Sequence, residues 1–84
     1  MINKEENVAY LASGPRGLLI LDISDYSNIK LLSKTSLDLY SSESITVSKD
    51  EELAVLGLRF YGFYILDIRD KTSPKVIYKY ITYG

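Results

Sequence analysis

Gly17-Leu18-Leu19-Ile20-Leu21-Asp22-Ile23-Ser24-Asp25 returns at positions 62 to 70 as Gly62-Phe63-Tyr64-Ile65-Leu66-Asp67-Ile68-Arg69-Asp70. Working outward from this pair, residues 1–39 align with residues 46–84 at a constant offset of 45 and without a gap, and twelve of the 39 pairs are identical. Among these are Ala9/Ala54, Leu11/Leu56, Gly17/Gly62, Ile20/Ile65, Leu21/Leu66 and Asp22/Asp67. Others keep their character, such as Ile2/Val47, Glu5/Asp50, Val8/Leu53 and Leu31/Val76. A fixed period of this length marks units that stack or ring, because one unit cannot bury its apolar face alone.

Each unit reads as β-structure. Apolar residues come in short blocks or alternate, and β-branched and aromatic types are prominent among them. The pattern predicts strands over Val8–Ala12, Gly17–Ile23, Lys30–Leu37, Ser44–Ser48, Leu53–Arg59, Gly62–Arg69 and Lys75–Tyr83. The separators carry turn chemistry: Ser13-Gly14-Pro15-Arg16-Gly17, Ser24–Asn28, Arg69–Pro74, and the charged turns Lys49-Asp50-Glu51-Glu52 and Lys4-Glu5-Glu6-Asn7. Alternation in the last strand puts Val76, Tyr78, Tyr80 and Thr82 on one side and Ile77, Lys79, Ile81 and Tyr83 on the other. The lysine among aromatics suits a strand at a sheet edge. The Ile-Leu-Asp-Ile blocks are apolar on both faces, as in a strand sandwiched between neighbouring sheets.

Four short strands per 45 residues is the unit of a β-propeller blade. The expected fold is therefore all-β, with two antiparallel four-stranded blades, residues 1–39 and 40–84. The first lacks most of its inner strand, since only Met1-Ile2 is available for it. A closed propeller has about four to eight blades, so this chain is expected to be part of a ring. Further blades would come in cis, from a longer chain, or in trans, from a homo-oligomer.

Composition narrows the chemistry. Cysteine and histidine are both absent, which excludes disulfides and thiolate metal sites and removes the commonest general base. The net charge of −1 is spread over 10 basic and 11 acidic residues, giving no stripe for a nucleic-acid backbone. The longest apolar run, Leu18–Leu21, is far short of the about 20 residues that cross a bilayer, so no membrane insertion is expected. The polar start is no secretory signal.

The runs Ala9-Tyr10-Leu11-Ala12 and Gly17–Asp25, repeated as Ala54-Val55-Leu56-Gly57 and Gly62–Asp70 with Ser73-Pro74-Lys75, resemble the LVIVD repeat. Tyr26 and Lys71 stand where that repeat has proline, Ile29 stands where the second copy has Pro74, and Arg69 replaces serine. The resemblance implies β-propeller architecture and no common catalytic activity. It also implies a secreted or cell-surface setting if the chain is part of a longer one.

The repeated residues read as structural. Asp22/Asp25 and Asp67/Asp70 offer too few oxygens for calcium, and each blade needs a strand cap and a turn opener. Gly17 and Gly62 lack the helix that a phosphate cradle requires and read as strand-start or bulge glycines. Without histidine or a nucleophile elbow, the serines assemble no triad. No enzyme activity, cofactor or metal is expected. The residues that suit an interaction surface are Arg16 and Arg59 with Tyr61 on one rim, and Tyr78, Tyr80 and Tyr83 at the end of the chain. The expected role is a structural module that presents loops to a protein or glycan partner. The alternative is a ligand-binding or hydrolytic propeller whose funnel site, using Glu43, Arg16 and Arg59, is shared between blades.

Overall fold

A computed structural model describes residues 2–3, 7–36 and 40–82. It contains β1 (Ile2–Asn3), β2 (Val8–Ala12), β3 (Leu18–Asp22), β4 (Lys30–Thr35), β5 (Ser42–Val47), β6 (Leu53–Leu58), β7 (Gly62–Asp67) and β8 (Lys75–Ile81). Two antiparallel sheets result, ordered β1-β2-β3-β4 and β5-β6-β7-β8, and they do not close into a ring. The inner strand of the first sheet is a two-residue stub, paired Ile2↔Ala9 and Asn3↔Val8. Tyr83, Leu37 and the turn at residues 4–6 lie outside the described residues.

The strands form where alternation and β-branching place them, and they stop at the turn residues. Asp22 and Asp67 end β3 and β7 by accepting bonds from the backbone N–H groups of Ser24 (2.9 Å) and Arg69 (3.0 Å). Asp25 and Asp70 open the next turn in the same way, holding the N–H and hydroxyl of Ser27 and of Thr72. Gly17 and Gly62 sit at φ 81° and 116°, where a side chain is strained.

Register corrects one expectation. A bulge between Ile65 and Leu66 pairs Ile65 with Tyr78 but Leu66 with Val76. Val76 therefore shares a face with Leu66, while Tyr78 and Tyr80 share the opposite face with Ile65 and Phe63. The extra residue, Ile77, breaks the period of two that put Val76 beside the tyrosines. The first sheet has the matching bulge between Ile20 and Leu21.

The core lies between the sheets. One face of the first sheet, termed its forward face, carries Val8, Tyr10, Leu18 and Ile20. It packs on the rear face of the second, which carries Val47, Ala54, Leu56, Tyr64 and Leu66. Tyr10, Leu18, Ile20, Ala54, Leu56 and Leu66 lose all solvent contact there. Burying a large apolar side chain contributes about 1.5–3 kcal/mol, so this junction holds the two sheets together.

Candidate functional site

Polar anchors fix how the sheets meet. At one end of the junction, the Ser42 N–H donates to the Gly14 carbonyl (2.9 Å), and the Ser42 hydroxyl lies within 3.0 and 3.2 Å of the Gly14 and Gly17 oxygens. At the other end, the Tyr10 hydroxyl of the first sheet donates to Oε1 of Glu51 in the β5–β6 turn (2.7 Å). Lys71, in the β7–β8 loop, donates to the carbonyls of Glu51 (2.7 Å) and Ile68 (2.8 Å). Its Nζ also lies 5.5 Å from the centre of the Tyr10 ring.

Glu51 lies in the charged turn expected over residues 49–52, yet it is buried, with φ 57°. The turn folds its carboxylate inward because Tyr10 offers a donor, and a buried carboxylate needs one. Sequence reasoning missed this Tyr10–Glu51–Lys71 contact. The only trace in the sequence is that Tyr10 and Lys71 fall at positions where the copies differ, aligned with Val55 and Tyr26.

The residues expected to form an interaction surface fall into two groups. Arg16, Arg59 and Tyr61 lie in the β2–β3 and β6–β7 turns. Arg16 is exposed, and Arg59 is exposed with its guanidinium 5.2 Å from the Phe60 ring centre. Phe60 is itself 74% exposed and sits at φ 71°, so the turn drives an aromatic ring into solvent. Tyr61 packs on Tyr40, ring centres 5.3 Å apart. Tyr78 and Tyr80 belong elsewhere, to the forward face of the second sheet. They flank Phe63 at 6.4 and 5.4 Å, and Tyr80 stacks on it. Leu53 and Val55 continue this open face. Glu43 is exposed beside the bulge at the start of β5.

Charged clefts line the loop end of the second sheet. One of about 170 Å³ is bordered by Asp67, Arg69, Asp70, Ser73 and Lys75. A wider one of about 440 Å³ is bordered by Asp50, Glu51, Glu52, Arg69 and Lys71. Their carboxylates are engaged locally. Arg69 forks onto Asp67, with 2.6 Å to Oδ2. The Arg69 side-chain bonds, then its backbone N–H, hold the Asp67 carboxyl down at about 2. Asp50 is lowered first by the Ser48 hydroxyl, and Asp70 first by the Thr72 hydroxyl. Among the described residues, no three acidic side chains gather in a way that could hold a metal ion.

These strand caps, turn openers and bulges recur once per sheet, and the family comparison matches the same segments. The model of the LVIVD repeat matches residues 2–36 and 59–82. The chain belongs to the LVIVD repeat family. Searches of the curated proteins and of the solved structures found no match to it. In the LVIVD repeats of this chain, the repeated aspartates serve as strand caps and turn openers, and the groups reaching outward come from the less similar turn at Arg59–Tyr61 and from the faces of the sheets.

Proposed function

We propose that this chain is a blade module of a propeller-type scaffold, with no catalysis of its own, that presents its turns to a protein or glycan partner. Further blades would complete the scaffold, in cis or in trans. The observation that carries the reading is the turn Arg59-Phe60-Tyr61. Its aromatic ring and guanidinium point outward from a rigid sheet, and an aromatic with a cation suits a carbohydrate face or an acidic peptide. The aspartates common to both copies, by contrast, are occupied inside the turns.

Glycan and peptide arrays probed with the 84-residue chain test this reading. Binding is expected that disappears in the Arg59→Ala, Phe60→Ala double variant while the unfolding midpoint stays in place. Binding that survives the double variant sinks the assignment to this turn.

A further inference from the structure

The two outward faces of the molecule are the repeat counterparts of the two faces that meet inside it. Shifted by 45 residues, the rear face of the first sheet (Ile2, Leu11, Leu21 and Leu31) becomes Val47, Leu56, Leu66 and Val76 of the second. In the second sheet Leu56 and Leu66 are fully buried against the first. In the first sheet Leu11 is 43% exposed, Leu31 57% and Ile2 62%. The counterparts of the junction side chains are thus presented a second time, three of them exposed and Leu21 half-buried. The forward face of the second sheet is likewise the counterpart of the buried forward face of the first.

At the bulkiest positions where the two copies differ, they differ reciprocally. On the forward faces, Leu18, Ser33 and Thr35 of the first sheet become the larger Phe63, Tyr78 and Tyr80 of the second. On the rear faces the change runs the other way: Tyr64 and Leu58 of the second sheet correspond to the smaller Leu19 and Ser13 of the first. The aromatic bulk that the rear face supplies at the internal junction would be supplied by the forward face at the external one. The polar end is also reciprocal, in the opposite sense. Tyr10 reaches forward toward Lys71 inside the chain, whereas the corresponding external pair is Val55 facing Tyr26, which is 79% exposed. Close packing makes such matched gains and losses of volume necessary where two faces meet.

We propose that the forward face of the second sheet takes the rear face of the first sheet of another copy, head to tail, in the arrangement by which the sheets of one chain already meet. The proposal deepens the blade-module reading and rests on it. A contact of this kind is heterologous and continues into a ring if the rotation closes, or a filament if it does not.

Sedimentation of the full chain, with circular dichroism to confirm the sheet, tests the proposal. Wild type is expected to be a concentration-dependent oligomer. Tyr78→Lys disables the forward face and Leu31→Lys the rear face, both at exposed positions, so each variant should fold and sediment as a monomer. An equal mixture of the two should pair through its intact faces, reach twice the 9.5 kDa of one chain, and go no further. Because the chain has no native cysteine, the register can be read independently. Tyr26→Cys with Val55→Cys should give a ladder of multimers with a flexible bis-maleimide crosslinker, and the single Cys variants should give no ladder. A folded wild-type monomer, variants that leave the mass unchanged, or a mixture that fails to pair overturns the proposal. None of these outcomes touches the binding at Arg59-Phe60-Tyr61, whose loss in an assembling chain would count against the loop-display reading instead.

Discussion

Tyr10 and Glu51 are separated by 41 positions in sequence and share one hydrogen bond where the sheets meet. Removing the Tyr10 hydroxyl leaves a buried carboxylate short of a donor, so Tyr10→Phe is expected to cost about 1–3 kcal/mol in urea unfolding. Lys71→Met should cost a similar amount, because the Glu51 and Ile68 carbonyls both lose a charged donor. A loss well below 1 kcal/mol in both variants would show that the contact is replaceable by water. Asp67 supplies a second residue-scale prediction. Its carboxyl is held at about 2, first by the Arg69 side chain and then by the Arg69 backbone N–H. A folded value below the ordinary one near 3.9 favours the charged form in the native state. The stabilisation is therefore present above the ordinary value and fades as pH falls toward the folded one. Carbon-detected NMR should place the Asp67 midpoint near 2 in wild type. Arg69→Ala should raise it toward the ordinary carboxylate range, because only the backbone donor remains; an unchanged midpoint would contradict the assigned cause.

At the level of strands and turns, Gly62 decides how β7 leaves its turn. It sits at φ 116°, and a Cβ there would collide with the Tyr80 carbonyl oxygen on β8. Gly62→Ala is expected to cost about 2 kcal/mol or more, since the neighbouring backbone must move. Gly14→Ala is a fair comparison. Its φ is 52° and its nearest obstacle is the Ser41 hydroxyl at 3.7 Å, so about 1 kcal/mol is expected. Equal midpoints for the two variants in thermal unfolding would remove the collision argument. The strands themselves were legible in the sequence. Alternation and the 45-residue echo locate all seven major strands, and β2 runs over the five residues that the pattern gives. The echo also identifies Asp22, Asp25, Asp67 and Asp70 as parts that every blade needs. Two things were not legible. The bulge at Ile65/Leu66 depends on which residue is left unpaired opposite a neighbouring strand, a pairing that alternation alone does not encode, so Val76 was placed on the wrong face. The Tyr10–Glu51–Lys71 contact joins three turns and strands that only the packing of one sheet on the other brings together. The same holds for the surface residues: Tyr78 and Tyr80 belong to a sheet face and Arg59 to a turn, a separation that composition cannot show.

Across the whole molecule, the echo of one sheet in the other makes equivalent positions with unequal surroundings, and this allows a controlled comparison. Leu11 and Leu56 are the same residue at the same point of the repeat, yet Leu56 is fully buried at the junction and Leu11 is 43% exposed. Leu56→Ala leaves a cavity between the sheets and should cost about 2–5 kcal/mol. Leu11→Ala removes a side chain that faces outward and should cost roughly 1 kcal/mol or less in the isolated chain. Both substitutions are best placed in the Tyr78→Lys background, which is expected to be monomeric because its forward face is disabled. Urea unfolding then reads the junction alone. In the wild-type background, which the proposal expects to assemble, the outcome should change for one of them only. Leu11→Ala should shift the association midpoint to higher protein concentration, because Leu11 then occupies, between chains, the place that Leu56 occupies within one. Were Leu11→Ala as costly as Leu56→Ala in the monomer, the rear face of the first sheet would have to be covered by the chain itself. The repeat would then be closed rather than open to a neighbour.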